Sequence, residues 1–393
     1  MFSSRTSWHL KPNRFARALD AHRRSGKQLL DLTASNPTTC GFLYPKYAIL
    51  DGLADVRALE YKPESKGLAE AREAVAQYYA EKQSLFGALE RMDAERIVLT
   101  SGTSEAYNHV FRLMCEPADE VLVPAPSYPL LEFLGGLADV RLVPYPLLYD
   151  ETWRIDLRGL RAALTPRSRC IVVVHPNNPT GSLVKPREAQ ELMQICEEKK
   201  LAIVADEVFL GYSDDADAAP SFAVAKGALT FTLSGLSKIS ALPQMKLAWI
   251  AVSGPEEQTR AAIERLEIIA DTFLSPSTPV QLATGKFLAV RSEMQGQLKQ
   301  RIAENLSLLD HELRGMRGVT RLRREGGWYA VLHAPARDSD ESLAVELLER
   351  FSVLVHPGSF FDFAQEGFLV LSLIAPVEDF HEGVRRMGGF FRA

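Results

Sequence analysis

Short apolar runs recur between about Ala69 and Ala270, with stretches of helical spacing between several of them. ERIVLT (95–100), DEVLVPA (119–125), RCIVVVHP (169–176), LAIVAD (201–206), ALTFTL (228–233) and LAWIAV (247–252) are short and rich in β-branched residues. Strands that are apolar on both faces need cover on both faces, and segments such as REAQELMQICEEKK (187–200) supply it as helices. The pattern therefore predicts an α/β chain: a three-layer α/β/α arrangement around a mainly parallel central sheet. In such sheets ligands bind beyond the carboxyl ends of the strands. The polar clusters of this chain fall at those ends.

Past this region the texture changes. Pro276 and Pro279 precede a helical pattern from Gln281 to about Arg314. A hairpin-like VTRLRREGGWYAVLHA (319–334) follows, then a helix near 341–350 and the strands SVLVHP and FLVLSL. At 393 residues the chain exceeds what one core accommodates. The expected division is a large domain over 41–294 and a smaller α+β domain built from 1–40 and 295–393. DDADAA (214–219) reads as an exposed loop tip.

Hydrophobic residues make up 46% and charged residues 24%, as in an ordinary globular protein, and the net charge of −5 offers no basic field for nucleic acid or an acidic membrane. No apolar run reaches membrane-spanning length, and the first twenty residues lack the apolar core of a signal peptide. Cys40, Cys115, Cys170 and Cys196 lie far apart, without metal-ligand or redox-pair spacing. The expectation is a cytoplasmic protein acting on small molecules.

Lys238 stands where the run TFTLSGLSK leaves an apolar strand for a Ser/Gly turn, and Lys246 follows eight residues on. Desolvated and near a second cation, a lysine amine loses its proton more readily and becomes a nucleophile toward aldehydes. Ser101-Gly102-Thr103-Ser104 opens a helix after another strand, where free N–H groups and a positive dipole end suit a phosphate, although a plain N-cap explains the same residues. HPNNPTG (175–181) ends a third strand with Asn177 and Asn178, explicable as turn residues or as an amide over a cleft. Asp206 closes LAIVAD, where an unpaired carboxylate is costly; a protonated ring nitrogen or a helix N-cap would satisfy it. Tyr128, in APSYP, offers an aromatic face to a planar ligand or covers the core. Phosphate site, ring acid, amide, aromatic face and amine together are what pyridoxal phosphate requires.

In order and content these motifs resemble the fold type I pyridoxal-phosphate enzymes, specifically the class I/II aminotransferases. YKPESKGLAEAREAVAQYY (61–79), SGTSEA, PSYP, HPNNPTG, ADEVF, SGLSK and VLVHPGSFF (353–361) follow in that family's order. The resemblance implies that Lys238 forms the Schiff base with pyridoxal 5'-phosphate and shuttles the proton. Asp206 would pair with the ring nitrogen, Asn178 with the ring oxygen, and Tyr128 would stack on the ring. Gly102, Thr103, Ser104, Ser234 or Ser237, and Lys246 would hold the phosphate. Tyr61 would reach the phosphate of a neighbouring subunit, which implies a homodimer with shared active sites. The implied reaction is transfer of an amino group from an amino acid to a 2-oxo acid. Its alternatives are a β-lyase, a decarboxylase or a racemase on the same scaffold, and a non-catalytic regulator that binds the cofactor.

The chain departs from the family pattern at Phe209 (usually Tyr), Lys246 (usually Arg) and Val370. At the last position the family carries the arginine that clamps the substrate carboxylate. Trp328 and Tyr329 fall near the family's substrate pocket and fit equally as core residues of a hairpin.

Overall fold

A computed structural model describes residues 1–8, 10–82, 84–86, 91–214, 220–335 and 338–392. Most of the loop tip expected at 214–219 lies outside the described residues. The large sheet contains β1 (Ile97–Thr100), β2 (Glu120–Ala125), β3 (Arg141–Asp150), β4 (Thr152–Ile155), β5 (Ser168–Val174), β6 (Ala202–Asp206), β7 (Thr230–Gly235) and β8 (Ala248–Ser253). They lie in the order β1-β8-β7-β6-β5-β2-β3-β4. From β3 to β7 every neighbouring pair is parallel; β8 runs antiparallel to both β7 and β1, and β4 folds back on β3.

Alternation along each strand sends Val172, Val204 and Ile250 to one face of the sheet, under the helices Thr103–Met114 and Glu256–Phe273. Ile171 and Ile203 go to the other, against Leu192 and Ile195 of the helix Pro186–Lys199. All of these side chains are fully buried, each contributing roughly 1.5–3 kcal/mol by leaving water. This three-layer packing confirms the fold class.

The hairpin β3–β4 carries no strong sequence signal because Pro144 and Pro146 interrupt it. Both prolines register with β2, opposite Val123 and Ala125; on the far side the Pro146 carbonyl accepts the Asp156 N–H (3.0 Å), and β4 joins β3 from Leu147 onward. A missing N–H costs little at such an edge.

A smaller antiparallel sheet joins Thr320–Arg321, Tyr329–His333, Phe368–Ser372 and His356–Pro357 in that order. The expected strand SVLVHP is split: its first half, Val353–Leu354, pairs in parallel with Leu30–Asp31 instead. The long helical pattern from Gln281 also divides, into Thr278–Leu282, Thr284–Ala289 and Arg291–Leu313. Phe15 of the N-terminal helix Arg14–Arg24 shares one core with Leu347 and Leu371, and the same core takes in Phe209 and Tyr212.

Candidate active site

Asp206 is the last residue of β6, and Lys238 lies one turn beyond β7, so adjacent parallel strands deliver both groups to the same sheet edge. The Asp206 carboxylate is 6% exposed, and burial pushes its pKa up to about 6. Three groups oppose that rise: the Val208 N–H (3.1 Å), the Tyr107 hydroxyl (3.0 Å), and the Lys238 charge. No motif in the sequence marks Tyr107. It stands four residues into the helix that Thr103 opens, the spacing that keeps two residues on one helix face.

Lys238 keeps part of its side chain open to solvent, but its amine sits among aromatic rings. Nζ lies 4.6 Å from the Trp328 ring centre and 5.6 Å from that of Phe209. Burial lowers the amine pKa to about 8, against the pull of Asp206. The spacing of the two lysines predicts that Lys246 shares in that lowering. Desolvation accounts for it instead, and Lys246 turns elsewhere. The Tyr212 hydroxyl donates to the Lys238 carbonyl (2.7 Å), Gln295 to that of Ile239 (2.8 Å) and Tyr44 to that of Ala241 (2.8 Å). The lysine turn is thus pinned from three directions.

The phosphate candidates gather around the helix Thr103–Met114. Its N-cap, Gly102, makes no side-chain cap, which leaves the first-turn N–H groups open. A Cβ built on Gly102 would stand 3.5 Å from Lys246 Nζ, so this cation and these N–H groups face one small space. Thr103 is half-buried and Ser104 exposed. Ser101 is committed otherwise: its N–H and hydroxyl both donate to Glu105 (2.6 and 2.9 Å). Ser234 is buried and donates to the Glu207 carbonyl (3.3 Å), whereas Ser237 remains half-open beside Lys238.

The two asparagines divide their tasks. Asn177 donates to the Pro126 carbonyl (3.1 Å) and to Thr180 (2.9 Å), holding the turn after β5 to the turn after β2. Asn178 is buried, and its amide oxygen has no hydrogen-bond partner among the described residues. Buried polar atoms are seldom left so, and an unused amide at a strand-end cleft fits a ligand. His175 is structural. It accepts the Val184 N–H at Nδ1 (3.0 Å) and donates from Nε2 to the Pro220 carbonyl (3.0 Å), and burial holds its pKa down at about 4.

Tyr128 is half-buried, and its phenol is pushed up to about 12 by burial first, then by the Asp206 charge. Trp328 is both things the sequence allowed: fully buried in the hairpin and in contact with Lys238. Phe209 meets it edge-on at 5.3 Å. Val370 is fully buried against Trp153, Leu322 and Phe361. The buried Arg324 supplies no replacement for the family arginine, since it is spent on the Gly326 and Gly327 carbonyls and Asp214. Tyr61 stands apart, 77% exposed.

This donor set fits pyridoxal phosphate: an acid for the ring nitrogen, an unused amide, an aromatic face, a phosphate cradle and a low-pKa amine. Comparison with known proteins agrees. An alanine aminotransferase of Mycobacterium tuberculosis is 28% identical over 375 residues, covering 93% of this chain and 86% of that protein. A glutamate-pyruvate aminotransferase of Escherichia coli is 27% identical over 377 residues, covering 93% of this chain and 91% of the relative. Among solved structures, an Escherichia coli aminotransferase superposes with a TM-score of 0.85 at 25% identity, over 100% of this chain and 98% of that one. An alanine aminotransferase from Pyrococcus furiosus reaches 0.88 at 22% identity, with full coverage of both chains. The model of the family "Aminotransferase class I and II" matches residues 27–384, and the chain therefore belongs to the class I/II aminotransferases, fold type I enzymes that use pyridoxal phosphate.

Proposed function

We propose that this aminotransferase moves an amino group from an amino donor to a 2-oxo acid, with Lys238 as the residue that carries the cofactor and moves the proton. When bound, pyridoxal phosphate supplies an aldehyde that takes up amines and a ring that accommodates electrons released at the neighbouring carbon. The protein's part is positioning and proton traffic. Asp206 holds the ring nitrogen protonated, and Tyr107 holds Asp206. Asn178 meets the ring oxygen and Tyr128 covers one face. Gly102, Thr103, Ser104, Ser237 and Lys246 hold the phosphate; the inward bond of Ser234 makes it a support for the turn. Freed of the cofactor, Nζ of Lys238 would take the proton from the substrate carbon and return it two atoms along, across the intervening nitrogen.

The single observation that carries this reading is the Lys238–Asp206 pair, an amine of pKa about 8 within the field of a buried carboxylate at one sheet edge. We further propose the division into 41–294 and the joined ends 1–40 and 295–393, supported by the packing of Phe15 with Leu347 and Leu371 in one core. A homodimer is supported by the exposed apolar side chains of a single stretch, Tyr47, Leu50, Val56, Leu59 and Tyr61, which a partner could cover. A cytoplasmic setting is supported by four free cysteines, three of them buried; among the described residues, no helix is long and apolar enough to cross a membrane.

Replacing Lys238 with Ala tests the assignment. Borohydride treatment of the wild type should leave a pyridoxyl adduct on the peptide containing residue 238, and the variant should show none. Transfer should fall more than roughly a hundredfold, the usual share of a positioned acid–base group. Turnover at the wild-type rate in the variant would remove Lys238 from the mechanism.

A further inference from the structure

Beside Tyr128 the structure opens a cleft of about 1020 Å³ between the β3–β4 hairpin and the small sheet. Its wall is aromatic: Tyr128, Tyr149, Trp153, Phe363 and Phe368 all line it. Tyr149 and Trp153 lie 5.1 Å apart, and Phe363 stacks on Phe368 at 4.4 Å. The cleft adjoins the place where the family arginine is missing. Val370 alternates with Phe368 on the same face of one strand and packs on Trp153, which lines the cleft. No lysine or arginine lines the cleft among the described residues; its titratable groups besides the tyrosines are Glu132, His333 and Asp362.

We propose that this cleft receives the distal part of the amino donor, and that it selects an aromatic or bulky apolar body ending in a cationic nitrogen. This rests on the aminotransferase reading and names the substrate class for it. Aromatic faces attract ammonium groups through their quadrupoles, most strongly where water is thinned. Two carboxylates on a wall without a lysine or arginine among the described residues favour the same charge and repel a carboxylate. Burial and the Glu132 charge both raise the Asp362 carboxyl above its ordinary range, so a cation between them relieves a repulsion present in the empty cleft. With Val370 where an anion clamp would stand, the donor's orientation falls to the ring-lined wall and the acidic rim.

The test uses the protein loaded with its cofactor and two non-transferable probes. Benzyltrimethylammonium and p-toluate share a ring and differ in charge. Titration calorimetry should show the ammonium binding at least about tenfold more tightly. Glu132→Gln and Asp362→Asn should each weaken it roughly fivefold, the upper range for one partly exposed ion pair, with the cofactor absorbance unchanged. A donor series carries the point into turnover: 4-(aminomethyl)benzylamine should react faster than benzylamine, and benzylamine faster than 4-(aminomethyl)benzoate. Equal binding of p-toluate, or ammonium binding indifferent to both substitutions, would overturn the subsite. Transfer from alanine or glutamate without cation binding would also overturn it, leaving the aminotransferase reading intact. Cation binding with no transfer from any amine would count against the assigned reaction and not against the cation site.

Discussion

Asp206 meets two opposed demands. In the proposed role it would pair with a ring nitrogen from a buried position, yet burial pushes its carboxyl toward the neutral form, which cannot hold a protonated ring. The Tyr107 hydroxyl and the Val208 N–H keep its pKa near 6. Tyr107→Phe removes one of those donors, so the pKa should rise further and the acid limb of the kcat profile should move to higher pH. We expect roughly a tenfold loss at pH 7, in keeping with the worth of a hydrogen bond to a charged group, and near-normal rates well above that pH. An unmoved acid limb would show that Tyr107 only packs. A second consequence concerns the cofactor-free protein. The folded pKa lies above the ordinary 3.8. This carboxyl therefore contributes stability below pH 4, and that contribution is lost as pH rises through about 6. Urea midpoints measured from pH 4 to 7 should show the decline, and Asp206→Asn should flatten it.

At the scale of elements, the Lys238 turn depends on how closely β7 approaches β8. Gly235 has extended backbone that any residue adopts, so its small size is a packing matter. A Cβ there would lie 2.7 Å from the Ala248 Cβ and 3.0 Å from the Leu247 carbonyl. Neither neighbour can yield without moving a strand. Gly235→Ala should therefore cost about 1–3 kcal/mol in unfolding free energy, as overpacking does, and should displace Lys238. Cofactor affinity should fall together with thermal stability; a variant with wild-type melting and wild-type affinity would show that the strands adjust freely. Elements also differ in how legible they are in the sequence. β1, β2 and β5 to β8 stand out because apolar residues on both faces leave them no alternative to a covered sheet. The β3–β4 hairpin is hidden because its prolines are tolerated only at an edge, and edges are assigned by neighbours. SVLVHP reads as one strand, yet its two halves serve different sheets, a choice made by the partner Leu30–Asp31.

For the whole molecule, the proposed role of Tyr61 bears on how the sites are assembled. Its ring is exposed on its own chain, which leaves it open to a neighbouring subunit in the proposed dimer. If sites are shared, a Lys238→Ala chain and a Tyr61→Ala chain should complement each other. Refolding equal amounts together should give activity above either parent, because each hybrid dimer then contains one intact site and one doubly damaged site. About half of the chains would fall in hybrids by random pairing, which limits recovery to about a quarter of the wild-type rate. Activity no higher than the mean of the two parents would place Tyr61 outside the site.

Lys238, Asp206, Asn178, Tyr128 and the SGTS turn stand out in the bare chain, because each sits where an apolar strand ends in residues that serve packing badly. Local chemistry exposes such positions: a charge or amide at the end of a buried strand needs a partner that the segment itself does not provide. The supports, Tyr107, Tyr212, Tyr44 and Gln295, leave no such mark, nor does the aromatic cleft beside Val370. Tyrosines and glutamines are ordinary on helices and turns, and they acquire a role only from what lies across the fold. Lys246 shows the same limit, since its spacing suggests a neighbour for Lys238 and the backbone turns it toward Gly102. Sequence alone determined the sheet and the kinds of group at its edge, through patterns that short-range periodicity imposes. Tertiary structure alone decided which of those groups share a space, because distance across a fold is set by packing and not by separation along the chain.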